Sequence, residues 1–314
     1  MNKYLSICIP TNGRINVLKN TLDSIFLNCN QSYDDFEVIL SDNSDNTDLE
    51  LMLIDLYSDI PNIVYSKSSY PGFLNSINAL KIANGNLLKL HNNYTMFTNN
   101  GLSDLINFSK NEYQTKPLIF FKNSGRKGIQ NFSNFNDFTC ELSYWNSWST
   151  GISIWKEDFT KISSFDFDKM FPHVSLLIYQ NYKKNFMIND NLYFINQEVG
   201  NKGGYNLFKT FSVDYLNLMN LALKNYSITE NTFIKIKYDL IHEFLPIWYF
   251  NTKLKKNEYT FDLSEIKKHI SVNYGIMGFI KLLILSYFFF IKKIFIKLFS
   301  NIKLFLSILF MVFK

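Results

Sequence analysis

An α/β fold with a mostly parallel central sheet is predicted by two features of the first 125 residues. Short apolar runs alternate with segments of helical spacing, and the apolar runs stop at Pro, Asp, Asn or Ser. Strands joined through helices run parallel and place ligands at their carboxyl ends. A third feature, a long apolar C-terminus studded with lysine, predicts a helical appendage.

Residues 4–9 (YLSICI) read as a first strand, and 12–28 carry helical spacing through Ile15, Leu18, Leu22 and Ile25. Residues 36–41 (FEVILS) read as a strand running into the polar cluster SDNSDNTD, and 47–58 as a helix. Residues 62–66 form a strand, 74–84 a helix ending at Gly85, 86–91 a strand, 99–110 a helix and 117–122 a strand. After Asn123 the pattern loosens, with strands expected near 137–143 and 150–155. FPHVSLLIYQNYKK reads as a helix starting near Pro172, a favourable first-turn residue. NQEVGNKGGYN reads as a Gly-rich loop, 206–250 as helical up to Pro246, and 262–272 as a further short helix. The expected organisation is one large domain over 1–205, a helical extension over 206–273 and a basic amphipathic helix over 274–314.

A chain of 314 residues readily buries one large core. Cys8, Cys29 and Cys140 lack paired spacing, which argues against a disulfide framework and against a zinc site. The opening MNKYLSICIP lacks a signal-peptide pattern, so the expected compartment is the cytoplasm. The net charge is +5, yet residues 281–314 hold six lysines and no acid, leaving the other 280 residues at −1. That distribution excludes a nucleic-acid binder with a basic face.

Lys281, Lys292, Lys303 and Lys314 recur every 11 residues, close to three helical turns, and form one stripe. Lys293, Lys297, Ser286, Ser300, Asn301 and Ser307 widen it, and the opposite arc is uncharged and rich in Phe, Ile and Leu. Such a helix lies in a membrane interface with lysines toward anionic headgroups. The longest uncharged run after Lys281 is Leu282–Ile291, ten residues against the ~20 needed to span a bilayer. Spanning with snorkelling lysines and packing on the domain's own core are the alternatives.

Two strand ends carry polar loops about 30 residues apart: ICIPTNGR over 7–14 and ILSDNSDNTD over 39–48. Adjacent strand ends of this kind make a nucleotide cradle, in which Asp42 accepts from a base or ribose donor and Thr11 helps frame the base. Plain turn chemistry accounts equally for an Asp, Asn and Ser cluster.

Strand–Pro–Thr–x–x–Arg followed by strand–Asp–Asn–Ser resembles glycosyltransferase family 2 proteins of the GT-A fold. The likeness continues through PGFLNSINALKIANGN and extends over roughly residues 1–200. SWSTGISIWKEDF and FPHVSLL resemble the abequosyltransferase-type members that build O-antigens and related surface polysaccharides. The resemblance implies a GT-A enzyme passing a sugar from a nucleotide-sugar donor to an acceptor hydroxyl, with inversion at the anomeric carbon; within 1–205, 1–125 would then bind the donor and 126–205 would supply the acceptor region and a lid loop. Its acceptor would be a lipid-linked bacterial glycan, made at the cytoplasmic face of the inner membrane by a peripherally bound enzyme. On this chain it implies that Pro10, Thr11, Arg14, Asp42 and Asn43 line the nucleotide and that Asn75 is the helix Asn of the family's segment.

Two departures stand out. The family's Asp-x-Asp metal motif should fall at Asn92–Thr95, where the residues are Asn92, Asn93, Tyr94 and Thr95. Amide oxygens are weak ligands for Mg²⁺ or Mn²⁺. Three alternatives result: amide donors and a cation stabilise the diphosphate; a metal binds mainly through the diphosphate with weak help from Asn93; or catalysis has been lost, leaving a nucleotide-sugar-binding scaffold. Lys202 is a candidate cation in the lid loop, or else an exposed loop lysine. His91 is a candidate ligand or a packed histidine.

The family's general base falls at Pro172–His173. A neutral imidazole can take a proton near pH 7, and a helix start lowers its pKa. His173 is therefore a candidate base, with Asp168 or Asp166 as alternatives and a structural histidine as another. Tyr144, Trp145 and Trp148 either stack on the acceptor glycan or belong to the core.

Overall fold

The computed structural model describes residues 3–27, 31–255 and 257–312, with side chains as far as Ile291. Cys29 and the lysine stripe beyond Lys281 lie outside the described side chains. The chain divides into two compact units, Met1–Val199 with Leu218–Phe233, and Gly200–Asn217 with Ile234–Lys314. The first break lies near the expected one at 205, but 218–233 joins the first unit, a return that local sequence pattern does not encode.

The first unit opens with β1 (Leu5–Thr11), α1 (Ile15–Phe26), β2 (Phe36–Asp42), α2 (Asp48–Tyr57), β3 (Ile63–Lys67), α3 (Asn75–Ile82) and β4 (Leu87–Leu90). It continues through β5 (Thr95–Phe97), α4 (Gly101–Glu112), β6 (Leu118–Phe121), β7 (Ile129–Phe132), α5 (Phe135–Leu142), β8 (Ser153–Trp155) and α6 (Lys156–Ile162). Then come α7 (Pro172–Tyr179), β9 (Phe186–Asn189) and β10 (Phe194–Asn196).

The main sheet has the order β3-β2-β1-β4-β8, parallel except for the edge strand β8. β1 and β2 are buried along almost their whole length, as strands covered on both faces must be. Chain order runs outward from β1 to β3, then crosses through α3 to β4 on β1's other side. The carboxyl ends of β1 and β4 thus flank a topological switch point, where this architecture opens a crevice for ligands. At the opposite end, the buried Glu37 carboxylate accepts from Ser6 Oγ and from the Asn84 and Gly85 amides. A Cβ on Gly85 would come within 2.8 Å of the Leu5 backbone, so Gly85 serves strand packing.

The expected strand over 137–143 is instead α5. Asn134 caps it by accepting the Asp137 amide, and Phe135, Phe138 and Leu142 fall on one buried face. Aromatic-rich sequence favours strands, but the cap and the 3–4 spacing win locally.

The second unit holds β11 (Lys202–Asn206), the short turn α8 (Leu207–Lys209), the start of α9 (Tyr215–Lys224), most of α10 (Glu230–Asp239), α11 (Leu245–Tyr249), β12 (Tyr259–Asp262) and α12 (Ile266–Val312). Its helices are interrupted by five-residue π turns at Thr210–Asp214, Leu240–Phe244 and Phe250–Leu254. Pro246 offers no N–H to the preceding turn, which is a physical cause for one of these interruptions. The expected Gly-rich loop is the strand β11, pairing in parallel with β12; a Cβ on Gly203 would sit 2.3 Å from Thr260 backbone. The helix expected over 262–272 is the start of α12, which begins at Ile266, while Asp262 ends β12.

Candidate active site

The residues at the switch point are tied to one another. Thr11 ends β1 and is buried, and its Oγ1 accepts from Asn93 Nδ2 at 3.1 Å. The Thr11 carbonyl accepts from the Asn43 amide at 3.0 Å and from Asn75 Nδ2 at 3.3 Å. The loop after β1 turns at Gly13, whose φ of +85° favours glycine and whose Cβ would meet Ser44 Cβ at 3.1 Å. The two polar loops therefore lean on each other, with Pro10 half-buried at the end of β1 and Arg14 half-buried before α1.

Asp42 and Asn75 are both held by neighbouring groups. The Asp42 carboxylate is closed to solvent and accepts from the Ser44 amide, Ser44 Oγ, Tyr65 OH and Lys67 Nζ, the last at 3.0 Å. Oδ2 takes three of these bonds and Oδ1 only the Ser44 amide, so the carboxylate organises its own loop. Asn75 accepts from Ser41 Oγ at 2.6 Å and donates to Ser41 O at 2.7 Å. With 1% exposure it ties β1 to β2. Asn43 lies at the rim, with Nδ2 donating to Tyr70 O.

The amide turn after β4 is organised by the segment Ser147–Thr150. Asn92 N donates to Thr150 Oγ1 at 3.1 Å, and Asn92 Oδ1 accepts from Ser149 Oγ at 2.7 Å. Asn92 Nδ2 donates to Tyr94 OH. His91 is packed: it is 1% exposed and stacks on Phe97 at 4.9 Å, and its Nε2 donates to the Thr95 carbonyl at 2.6 Å. Its Nδ1 is buried without a partner, and burial pulls its pKa down to about 3.

The same segment holds His173. The imidazole Nε2–H donates to the Ser147 carbonyl at 2.8 Å, so the neutral ring carries its lone pair on Nδ1. Burial lowers its pKa to about 4, opposed by that hydrogen bond and by the charge of Asp168. The sequence points to a helix-start effect; desolvation is the larger cause. Asp168 Oδ1 accepts the Met170 and Phe171 amides at 2.8 and 2.7 Å, shaping the approach to α7. Asp166 is exposed, and its backbone carbonyl accepts from Tyr179 OH.

Tyr144, Trp145 and Trp148 are half-buried on the same segment. Tyr144 stacks on Trp145 at 5.9 Å, and Trp145 meets Trp148 edge-on at 6.3 Å. Trp148 packs against the core, so its indole is partly structural. Lys202 belongs to the second unit, in β11, with Nζ 5.5 Å above the Trp248 ring. It stands on a paired strand, where a loop lysine was expected.

Sequence reasoning missed Lys89. Fully buried in β4, it donates to Leu90 O at 2.8 Å and to Thr150 O, and lies over the Phe121 and Phe194 rings at 5.2 and 4.9 Å. Burial pushes its ammonium well below the ordinary lysine value. Its visible signal was one charge inside the four-residue apolar strand LLKL.

The turn does not fit a hard divalent cation. It contains no carboxylate, one amide oxygen is taken by Ser149, and the adjacent imidazole is packed. A cavity of about 200 Å³ lined by Asn86, Tyr113, Lys116, Trp155, Lys156 and Glu157 lies by the amino end of β4, away from the switch point.

No protein-family profile matches the chain, and no curated protein does. Solved structures do. TarS residues 1–349 from S. aureus in complex with UDP-GlcNAc superposes with a TM-score of 0.60 at 15% identity, over 87% of this chain and 80% of that one. The same protein in complex with UDP gives 0.58 at 15% identity, over 86% and 78%. Without a named ligand it gives 0.58 at 14%, over 90% and 81%. The chain thus shares the fold of TarS, an α/β fold with a mainly parallel central sheet, as the strand order predicted.

Proposed function

We propose that this chain is a glycosyltransferase that moves a sugar from a nucleotide-sugar donor to a hydroxyl of a lipid-linked bacterial surface-polysaccharide precursor. One observation carries the reading: Ser147–Thr150 joins the amide turn at Asn92 to the candidate base His173 beside the switch point. Likeness to a protein crystallised with UDP-GlcNAc supports a nucleotide-sugar donor. Abequosyltransferase-type chemistry and a family 2 assignment remain part of this proposal, as does the division into donor-binding, acceptor and membrane segments.

In the mechanism we assign, Thr11, Arg14, Asn43, Asn92 and Asn93 hold the donor, and Tyr144 and Trp145 receive the acceptor glycan. His173 Nδ1 takes the proton of the acceptor hydroxyl as its oxygen attacks the anomeric carbon. The bond from that carbon to the diphosphate oxygen breaks, and the nucleoside diphosphate leaves with the electron pair, inverting the centre. In this assignment amide donors and the Arg14 guanidinium stabilise the developing charge. The basic C-terminal helix holds the enzyme on anionic lipid at the cytoplasmic face of the inner membrane, where a lipid-linked acceptor resides.

The test is donor turnover across a panel of nucleotide-sugars, with acceptor glycolipid and without. Turnover lost in His173→Gln with donor binding intact supports the assignment; full turnover in that variant removes it. The amide turn favours one second reading, a nucleotide-sugar-binding scaffold of polysaccharide assembly. Tight donor binding with no turnover on any donor or acceptor would establish that reading instead.

A further inference from the structure

α12 is built inside out. Its first turns are fastened to the second unit: Asn273 Nδ2 donates to Ser212 O at 2.7 Å and Tyr274 OH donates to Lys237 O at 3.0 Å. Gly275, with φ +64° and ψ −177°, then breaks the helix path. Beyond the break, the buried positions are Gly278, Leu282 and Ser286, spaced by four. Leu282 and Ser286 have no exposure, and Ser286 Oγ donates back to Leu282 O. The Phe290 ring lies 6.1 Å from that of Phe250 in the same unit.

The opposite face carries the bulk. Ile276, Met277, Ile280, Ile284, Phe288 and Ile291 are 40–68% exposed. A helix on a water-soluble domain turns its large apolar side chains inward and its small or polar ones outward. Here a glycine, one leucine and a serine face the protein, and isoleucine, methionine and phenylalanine face away. The segment Ile266–Ile291 is apolar enough to cross a membrane, with 17% of its most apolar window buried.

We infer that residues 276–291 lie along a lipid bilayer as a flat, half-embedded helix, with Gly278, Leu282 and Ser286 held on the second unit and the large apolar face among acyl chains. The inference rests on the membrane part of the proposed function and names the surface that makes the contact. The C-terminal sequence favours a bilayer as the occupant: residues 292–314 carry five lysines and no acid, which suits anionic headgroups. A second copy on the same face would bring like-charged tails together. The flat orientation is set by the covered face, because a helix packed along its own domain cannot be ringed by lipid. Helical spacing alone puts Ser286 on the lysine stripe; it is buried against the protein, while Lys281 is exposed.

The test uses the full chain with Cys29 and Cys140 changed to serine, the fully buried Cys8 kept, and a single cysteine introduced as Ile276→Cys, Ile280→Cys, Ile284→Cys or Phe288→Cys. Each carries an environment-sensitive fluorophore and is mixed with phosphatidylcholine vesicles containing phosphatidylglycerol and lipid-borne quenchers at two depths. All four probes should blue-shift on vesicles and report one depth, and Ile280→Glu with Ile284→Glu should weaken vesicle binding at least ~10-fold. Depth increasing steadily from 276 to 288 would show a crossing helix and overturn the flat placement. A shift that grows with protein concentration before vesicles are added would assign the face to a second copy, and no shift would remove the lipid contact. Donor turnover read on the same samples separates this result from the catalytic proposal.

Discussion

Asn93 Nδ2 donates to Thr11 Oγ1 at 3.1 Å, joining the carboxyl end of β4 to that of β1 across the switch point. An amide at this position makes the tie by donating; an aspartate would make it by accepting from the Thr11 hydroxyl and would add a hard oxygen ligand. Donor turnover by the native chain should persist in EDTA, whereas Asn93→Asp should acquire dependence on Mn²⁺. If EDTA abolishes native activity and Mn²⁺ restores it, the metal-free assignment fails. Asn93→Ala loses the tie at about 1 kcal/mol, a roughly fivefold weaker donor affinity by calorimetry.

His173→Gln keeps a donor for the Ser147 carbonyl but removes the basic nitrogen. The expected loss in kcat is about 10²–10⁴-fold, with donor affinity unchanged. With the imidazole pKa near 4, the acid limb of the rate profile should fall well below pH 6. A limb centred at the unperturbed histidine value of ~6.5 would assign the titrating group elsewhere.

Two buried histidines also set the acid stability of the fold. His91 and His173 have folded pKa values lowered to about 3 and about 4, so the unfolded chain binds more protons below the unperturbed histidine range. Their stabilising contribution is complete above ~pH 6.5 and is lost as pH falls through 5 toward 4 and 3. For His173 the loss is on the order of 3 kcal/mol. Urea unfolding at pH 7, 5.5 and 4.5 should show this slope, and it should be shallower in His91→Phe, which keeps the stack on Phe97.

Lys89 holds the Thr150 carbonyl, and Thr150 Oγ1 in turn receives the Asn92 amide. Lys89→Met removes a buried polar head group together with its two hydrogen bonds, opposing effects that should leave stability within about 2 kcal/mol of native. The turn loses its anchor, so donor KM should rise several-fold with kcat little changed, and Lys89→Arg should not restore it because a planar guanidinium does not reproduce the geometry of a lysine head group. A fall in melting temperature with kinetics untouched would make Lys89 a packing residue alone.

The parallel sheet was legible because each strand is a continuous apolar run ended by a polar cluster, and each crossover keeps a 3.6-residue period. β1, β2, β3 and β4 fall within a residue or two of their predicted bounds. α5 was misread as a strand because its cap, Asn134, is a single residue in an aromatic-rich stretch. Lys202 was misplaced for a different reason: its glycines serve close pairing with β12, 57 residues later in register at Tyr259, and local composition carries no record of a distant partner.

Within the site, the sequence determined which side chains are available: amides in the turn after β4, a histidine at the start of α7, aromatics over 144–148 and a lysine-rich apolar end. Those are composition and spacing, and they come from the chain alone. Tertiary structure decided what each group can do, because burial and hydrogen-bond partners depend on neighbours distant in sequence. It closed Asp42 and Asn75 around their own loops, packed His91 against Phe97, and aimed His173 Nε2 at Ser147. It also turned the bulky face of α12 outward, since only the packed helix reveals which of its faces its own domain covers.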